Sequence, residues 1–307
     1  MPPAHDQTLQ AVGAIMIYAM LIAFADNYVR VIAAEAGLWQ FHATRAVCAI
    51  ALIWLWARSA GRRLRPVSLI AVTARSVIHG IAMLIYFGSL AFLPVAQVAA
   101  GLFTAPIFVL LISRFGYGQQ VGPVRIAAVA IGFVGVALVL GPAALAGASW
   151  AAVLPVLAGG FYALGNVATR EWCPLESAET LLAGFFAALG VFGVLGLAVL
   201  AIWPVAVPTG AEGFIQRGWV WPTSTFLFWV TVQALFSVIG VGLMIKAYQM
   251  ADASRVSVFE YIILPASALW GWVLWSEVPG LQAVLGMALI AAAGAMIAVR
   301  ADQSVRM

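Results

Sequence analysis

The sequence predicts an all-α integral membrane protein, with ten transmembrane helices arranged as two inverted five-helix repeats around a central cavity. Composition carries the first part of this. Of 307 residues, 64% are hydrophobic and 8% charged, whereas a soluble domain is roughly a quarter charged. A water-facing surface of ordinary size cannot be covered with so few charges, so the solvent for most of the surface is lipid. Periodicity carries the second part. Apolar runs of about 20 residues, the length that crosses a bilayer core, recur from Leu9 to Val299. They are too long for barrel strands and lack the alternation of period two that such strands show. The third observation is a weak likeness between the two halves, described below.

In chain order, the first two spans are read at 10–33 and 39–58, and the next three at 68–92, 95–115 and 122–141. The second half follows with 150–170, 178–203, 224–250, 254–276 and 280–299. Connections are short, so sequence neighbours pack antiparallel; the longest polar-leaning connection runs from Pro204 to Pro222. Basic residues set the orientation, because Lys and Arg concentrate in cytoplasmic loops. Arg58, Arg62, Arg63 and Arg65 lie in one connection, and Arg114, Arg125, Arg170, Arg255, Arg300 and Arg306 fall on the same side. Arg217 lies opposite, as does Arg30 by its place at the end of the first span. Both termini are therefore expected in the cytoplasm, with the chain in the cell inner membrane. No cleavable signal peptide is expected, since residues 1–8 hold no Lys or Arg and further spans follow the first apolar run. Cys48 and Cys173 give neither a disulfide framework nor metal spacing.

A shift of 159 residues sets Pro106 on Pro265, Leu110 on Leu269 and Gly135 on Gly294; Asn27 meets Asn166 at a shift of 139. Five spans is an odd number, so a duplicated unit must lie upside down relative to its partner. The expected division is 1–143 and 144–307. Inverted repeats of this kind mark carriers, with the site near the membrane midplane between them.

The stretches that carry a family resemblance are Tyr86-Phe-Gly-Ser-Leu-Ala-Phe-Leu-Pro94 running into Thr104-Ala-Pro106, then Gly132-Phe-Val-Gly-Val136. In the second half they are Tyr162-Ala-Leu-Gly-Asn-Val-Ala-Thr169, Ala247-Tyr-Gln-Met-Ala251, Leu264-Pro265, Gly286 and Gly294. Over nearly the whole chain the pattern resembles the drug/metabolite transporter superfamily, in particular its EamA-type two-repeat members. An acidic residue that such proteins often carry after the fourth span is missing at Gly116–Gln120, while Glu277 occupies the matching place after the ninth. The resemblance implies a basket of ten helices around a central cavity, with the fifth and tenth peripheral and often used for dimer packing.

Charged and hydrogen-bonding groups inside spans are costly, by about 2.5–3.5 kcal/mol near the centre for a charge, so they tend to face a cavity or a partner. Helical spacing says which of them share a face. Tyr18, Ile22, Asp26 and Arg30 recur at four-residue steps with Asn27 beside them, and Arg45 lies at similar depth on the next span. Arg75, His79, Met83 and Tyr86 form a stripe on the third span; Glu260 and Tyr261 stand on the ninth and Lys246 closes the eighth. This predicts two charged layers, Asp26, Asn27 and Arg45 on the outer side and Arg75, His79, Lys246 and Glu260 on the inner. Each is read either as a gate and binding layer or as structural ion pairing and snorkelling. Between them lie Gln97 and Thr104, Tyr162 and Asn166, and Gln233 and Ser237, which line a cavity or glue helices together. Pro106 and Pro265 interrupt their helices at equivalent places and suggest paired hinges. Trp270 and Trp272 lie deeper than the other tryptophans, within reach of a ligand.

These readings point to a secondary transporter for a small polar or zwitterionic organic metabolite. The family resemblance favours an amino acid or a related compound. Asp26, His79 and Glu260 are available for proton coupling. The expected partners are the substrate and the bilayer, without nucleic acid; the protein acts as a monomer or homodimer. No cofactor or metal is expected, because His5, His42 and His79 cannot cluster by spacing. A nucleophile elbow, a phosphate loop and an HExxH motif are also missing. A substrate-selective channel is the nearest alternative; a membrane-embedded lipid enzyme is a more distant one.

Overall fold

The computed structural model describes residues 7–89, 95–141 and 153–305. Among these, regular structure is entirely helical. The first half consists of α1 (Thr8–Asn27), α2 (Val29–Glu35), α3 (Leu38–Ser59), α4 (Leu69–Ser89), α5 (Val95–Leu102), α6 (Ala105–Leu111) and α7 (Pro123–Leu140). The second consists of α8 (Val153–Glu171), α9 (Ala178–Ile202), α10 (Ser224–Met250), α11 (Ala253–Phe259), α12 (Ile263–Trp275) and α13 (Leu281–Val305). Seven helical stretches among the described residues are long and apolar enough to cross a membrane, and Ala105–Gly116 and Leu281–Ile297 are shorter apolar helices. The protein is a multi-pass membrane protein.

Local chemistry explains where helices begin and break. Ser177 caps α9 by accepting from the Thr180 amide at 3.1 Å, and Thr223 caps α10 by accepting from the Phe226 amide at 3.1 Å, each satisfying a donor left over by the first turn. Pro123 opens α7, where a missing N–H costs nothing. Pro106 cannot donate to the Leu102 carbonyl, and α5 ends at Leu102. Pro265 likewise leaves the Tyr261 carbonyl without its usual donor, and residues Glu260–Ile262 tighten into a 3₁₀ turn. The sequence predicted both of these interruptions. It gave no sign of the break at Tyr28 between α1 and α2, where the tyrosine ring stacks on Trp229 at 3.5 Å between centroids.

The main helix pairings are α7 with α13, α1 with α10, α3 with α9 and α4 with α8; α8 also packs on α5 and α6, and α1 on α12. The α7–α13 seam is tight: a Cβ on Gly135 would lie 2.7 Å from the Gly286 carbonyl oxygen. The connections gather at two ends. At the basic end, Asp252 ahead of α11 meets Arg125 of α7 (3.1 Å), Arg170 of α8 (3.3 Å) and Arg255 of α11 (3.5 Å). Glu176 there receives the amides of Val67 and Ser68 at 3.1 and 2.6 Å, binding the α8–α9 connection to the α3–α4 connection. At the far end, Arg217 donates to the carbonyls of Ala33 (2.8 Å), Ala36 (3.2 Å) and Gly210 (2.6 Å). Arg30 pairs with Glu277 at 3.0 Å.

Candidate functional site

A cavity of about 550 Å³ runs between the two halves, within the 300–1,000 Å³ of typical small-molecule sites. Its deep end lies toward the basic end of the bundle and is lined by Arg75, His79 and Glu260; its waist by Tyr18, Tyr162 and Met244. Further out it is lined by Asp26, Arg45, Gln233, Ser237 and Tyr86, reaching Asn27 and Arg30. Met83, Phe87, Phe103, Pro106 and Leu264 supply apolar wall. The cavity communicates with the far end: Asp26 is exposed there, and the Arg30 side chain is 49% exposed. Neither the Asp252 cluster nor the Glu176 cluster of the basic end contributes to its lining.

Each deep group has a defined partner. Arg75, 1% exposed, donates Nε–H to Thr169 Oγ1 at 2.9 Å and a terminal N–H to the Leu181 carbonyl at 3.3 Å. His79 Nε2 lies 2.9 Å from Asn166 Oδ1, and Asn166 Nδ2 donates to Glu260 Oε1 at 3.1 Å. The Tyr248 hydroxyl donates to the same Glu260 oxygen. The amide orientation that satisfies both neighbours of Asn166 makes His79 Nε2 the donor, leaving Nδ1 without a partner. The room for this network is created by Gly165, where a Cβ would lie 2.3 Å from His79 Nδ1.

Above the waist, Gln233 joins two charges that do not pair directly. Its Oε1 accepts from Arg45 at 2.9 Å and from Ser237 Oγ at 2.9 Å, while its Nε2 donates to Asp26 Oδ1 at 3.1 Å. The Arg45 guanidinium also lies over the Phe41 ring at 4.9 Å, a favourable seat for a cation. Asn27 donates to the carbonyls of Ala23 (2.8 Å) and Ser267 (3.4 Å). At the waist the Tyr18 and Tyr162 hydroxyls lie 3.4 Å apart, and Tyr162 donates to Met244 Sδ at 3.0 Å.

The structure thus brings Asp26, Asn27, Arg45, Arg75, His79, Tyr86, Tyr162, Gln233, Ser237, Glu260 and Pro106 to one cavity. Asn166 stands behind the lining and acts through His79 and Glu260. Several expected residues lie elsewhere. Tyr261 is fully buried against Gly132 of α7, with its hydroxyl unpartnered; the 3₁₀ turn points it away from Glu260's side. Thr104 bonds back to the Gly101 carbonyl at 2.6 Å, and Pro265 stands outside the lining. Lys246 is exposed, Trp272 is 55% exposed, and Trp270 donates to the Met20 carbonyl. The side chain of Gln97 and residues 90–94 of the Tyr86–Pro94 stretch lie outside the described residues. Direct ion pairs are not the form the two layers take: Gln233 stands between Asp26 and Arg45, while Arg75 bonds Thr169 and the Leu181 carbonyl and Glu260 reaches His79 through Asn166. Sequence reading missed Tyr248, met only inside the Ala247–Ala251 stretch, and His42, whose two ring nitrogens are buried without partners.

A helical bundle in the membrane around a charged cavity of metabolite size defines a solute transporter. Comparison with known proteins gives the family. Residues 9–141 match the EamA-like transporter family. The chain is 32% identical over 225 residues to a riboflavin transporter of Rhizobium johnstonii, covering 73% of this chain and 68% of the relative. It is 26% identical over 251 residues to the pseudopaline exporter CntI of Pseudomonas aeruginosa, covering 81% and 82%. A crystal structure 21% identical in sequence superposes with a TM-score of 0.72, covering 96% of this chain and 98% of its own, and shares the fold. The chain belongs to the EamA-like transporter family, within the drug/metabolite transporter superfamily, and is a membrane transporter rather than an enzyme.

Proposed function

We propose that the protein is a secondary carrier of the inner membrane that moves a small organic metabolite with charged groups by alternating access. The observation that carries this reading is the shape of the cavity: it communicates with the far end through Asp26 and Arg30 and stops at Arg75 and Glu260 short of the basic end. A carrier holds such a half-open state, with the second half of its path sealed, whereas an open channel connects both ends.

The halves 1–143 and 144–307 are the two inverted repeats in this reading, acting as a monomer or homodimer. Reciprocal packing supports the division. If α1, α3, α4, α5–α6 and α7 correspond to α8, α9, α10, α11–α12 and α13, then α1 on α10 mirrors α8 on α4. In the same way, α1 on α12 mirrors α8 on α5 and α6, and α3 on α10 mirrors α9 on α4. The α3–α9 and α7–α13 pairs are then their own mirror images. The breaks after Leu102 and around Glu260–Ile262 fall at corresponding places and serve as the hinges. Rocking of the halves would open the Arg125–Asp252 pair and the His79–Asn166 bond on one side while closing the mouth near Arg30 on the other. With the basic end cytoplasmic by the positive-inside bias, the cavity faces outward in this structure, and both termini are cytoplasmic.

Substrates of the size of riboflavin, the cargo named for one relative, or of an amino acid fit the cavity class. The glutamate, aspartate and histidine facing it are placed for proton coupling. The test is uptake of labelled riboflavin and of labelled amino acids into proteoliposomes. A carrier gives saturable uptake that is accelerated by unlabelled compound preloaded inside. Flux that is linear in concentration and indifferent to preloading supports the channel instead.

A further inference from the structure

The basic end of the bundle carries a concentration of charge that the cavity does not use. Asp252 is met by Arg125 at 3.1 Å, by Arg170 at 3.3 Å and by Arg255 at 3.5 Å. Three guanidinium groups thus face one carboxylate, and the cluster keeps a positive excess. Among the described residues, the other carboxylates of this end are engaged elsewhere. Gln119 donates to Glu171 at 2.8 Å, the Val67 and Ser68 amides bind Glu176, and Arg62 holds Glu179 at 2.6 Å.

The helices do not relieve the excess. Arg125 is the third residue of α7 and Arg255 the third of α11. The start of a helix is its positive end, where an anion is favoured and a cation is not; of the three, Arg170 alone sits in a last turn. The three side chains are only 16%, 27% and 22% exposed. Water and salt therefore screen them less than Arg63 and Arg65 in the exposed α3–α4 connection. Exposed arginines in a loop suffice to orient the chain, and orientation does not require three that converge on one acid. The cluster also has donors to spare. Arg170 reaches Asp252 through Nη2, and its Nε and Nη1 join no described hydrogen bond; Arg125 uses Nη1 on Ser254 and Nη2 on Asp252, leaving Nε.

We propose that Arg125, Arg170 and Arg255 bind the phosphate head group of an anionic phospholipid in the leaflet at the basic end. The guanidinium fork matches phosphate oxygens in geometry and charge, and basic pockets between spanning helices suit anionic head groups. All three residues lie at helix ends, the depth at which the phosphates of that leaflet stand. Ile126, next to Arg125 in the chain, is 53% exposed, apolar surface on which an acyl chain can lie. Arg125 belongs to the first half of the chain and Arg170 and Arg255 to the second, so the bound phosphate bridges the halves at the sealed end of the cavity. The site stands outside the cavity lining, and its occupation does not depend on what the cavity carries.

The test is thermal unfolding of the full-length protein in neutral detergent, titrated with phosphatidylglycerol, phosphatidylcholine or inorganic phosphate. Phosphatidylglycerol raises the melting temperature saturably, and the other two at equal concentration do not. Arg170→Gln with Arg255→Gln weakens the apparent affinity for phosphatidylglycerol at least about tenfold, the worth of one charge-assisted hydrogen bond. Arg170→Lys with Arg255→Lys keeps the charges and retains part of the effect, which separates loss of the site from loss of the fold. Arg63→Gln with Arg65→Gln removes the same charge from the loop and leaves the titration unchanged. Equal weakening by the two glutamine pairs would reduce the effect to diffuse attraction and overturn the site, as would a wild type that phosphatidylglycerol does not stabilise beyond phosphatidylcholine. Inorganic phosphate that stabilises as strongly, with the same dependence on Arg170 and Arg255, would overturn the lipid as occupant in favour of a soluble phosphate.

Discussion

Asn166 on α8 donates to Glu260 at 3.1 Å, linking α8 to the 3₁₀ turn that Pro265 induces ahead of α12. Through His79 at 2.9 Å the same asparagine also reaches α4. One amide therefore ties a helix of the first half to two separate segments of the second, at the sealed end of the cavity.

Asn166→Leu should both loosen and inactivate the protein. It strands Glu260 on Tyr248 and leaves His79 Nε2 without an acceptor, a cost of about 1–3 kcal/mol for a buried polar group left unsatisfied. Uptake should fall at least tenfold in proteoliposomes, and the melting temperature in detergent should drop. Unchanged uptake would remove Asn166 from the mechanism.

Gln233→Leu should destabilise more than its size suggests. Arg45 and Asp26 both lose the partner that couples them, and Arg45, only 5% exposed, has no other acceptor to turn to among the described hydrogen bonds. A loss of about 1–3 kcal/mol is expected for the buried guanidinium alone. Adding Asp26→Asn to Gln233→Leu should cost less than the two changes measured separately, because residues of one network are not additive. Strict additivity in thermal unfolding would contradict the bridge.

Gly135→Leu tests the α7–α13 seam. The first added carbon already lies 2.7 Å from the Gly286 carbonyl oxygen and 2.9 Å from the Ile290 side chain, so the helices must separate, at about 1–3 kcal/mol for overpacking. Gly135 neither lines the cavity nor bonds into the Asn166 network, so binding measured on the folded fraction should stay within about twofold of wild type. A melting temperature equal to wild type would mean that the seam opens freely.

Orientation is tested with a membrane-impermeant maleimide on intact cells, in a background of Cys48→Ala and Cys173→Ala. Thr209→Cys, exposed at the far end, should react from outside. Arg63→Cys, exposed at the basic end, should react only after the cells are opened. The reverse pattern would invert the protein and turn the half-open cavity toward the cytoplasm.

How far the sequence carried the reading follows from what its periodicities encode. Apolar runs and prolines act within a helix, and they gave the helical segments and the breaks beside Pro106 and Pro265. Four-residue spacing placed Arg75 and His79 on one stripe, and Tyr18, Ile22 and Asp26 on another, because such residues share a face whatever packs against them. Which groups meet across helices is a matter of rotation and depth. Gln233 lying between Asp26 and Arg45, and Tyr248 on Glu260, are contacts between residues far apart in the chain or across a helix break, and spacing is silent about them. Tyr261 shows the converse: next to Glu260 in sequence, it turns to Gly132 because a 3₁₀ turn changes the angle between successive side chains. The break at Tyr28 has no proline or glycine to mark it; stacking on Trp229 accompanies it, a partner in the other half.

The most direct test of alternating access is to compare reactivity at two depths of the same path. In the cysteine-free background, Ser267→Cys lines the far-end part of the cavity, and Ser257→Cys sits buried on α11 toward the basic end. Impermeant maleimide would be applied to one side of the membrane at a time, with and without saturating substrate. With alternating access, Ser267→Cys reacts from the far side and Ser257→Cys only from the basic side, with one falling as the other rises when substrate shifts the equilibrium. Reaction of both from a single side, or rates that substrate leaves unchanged, would contradict it.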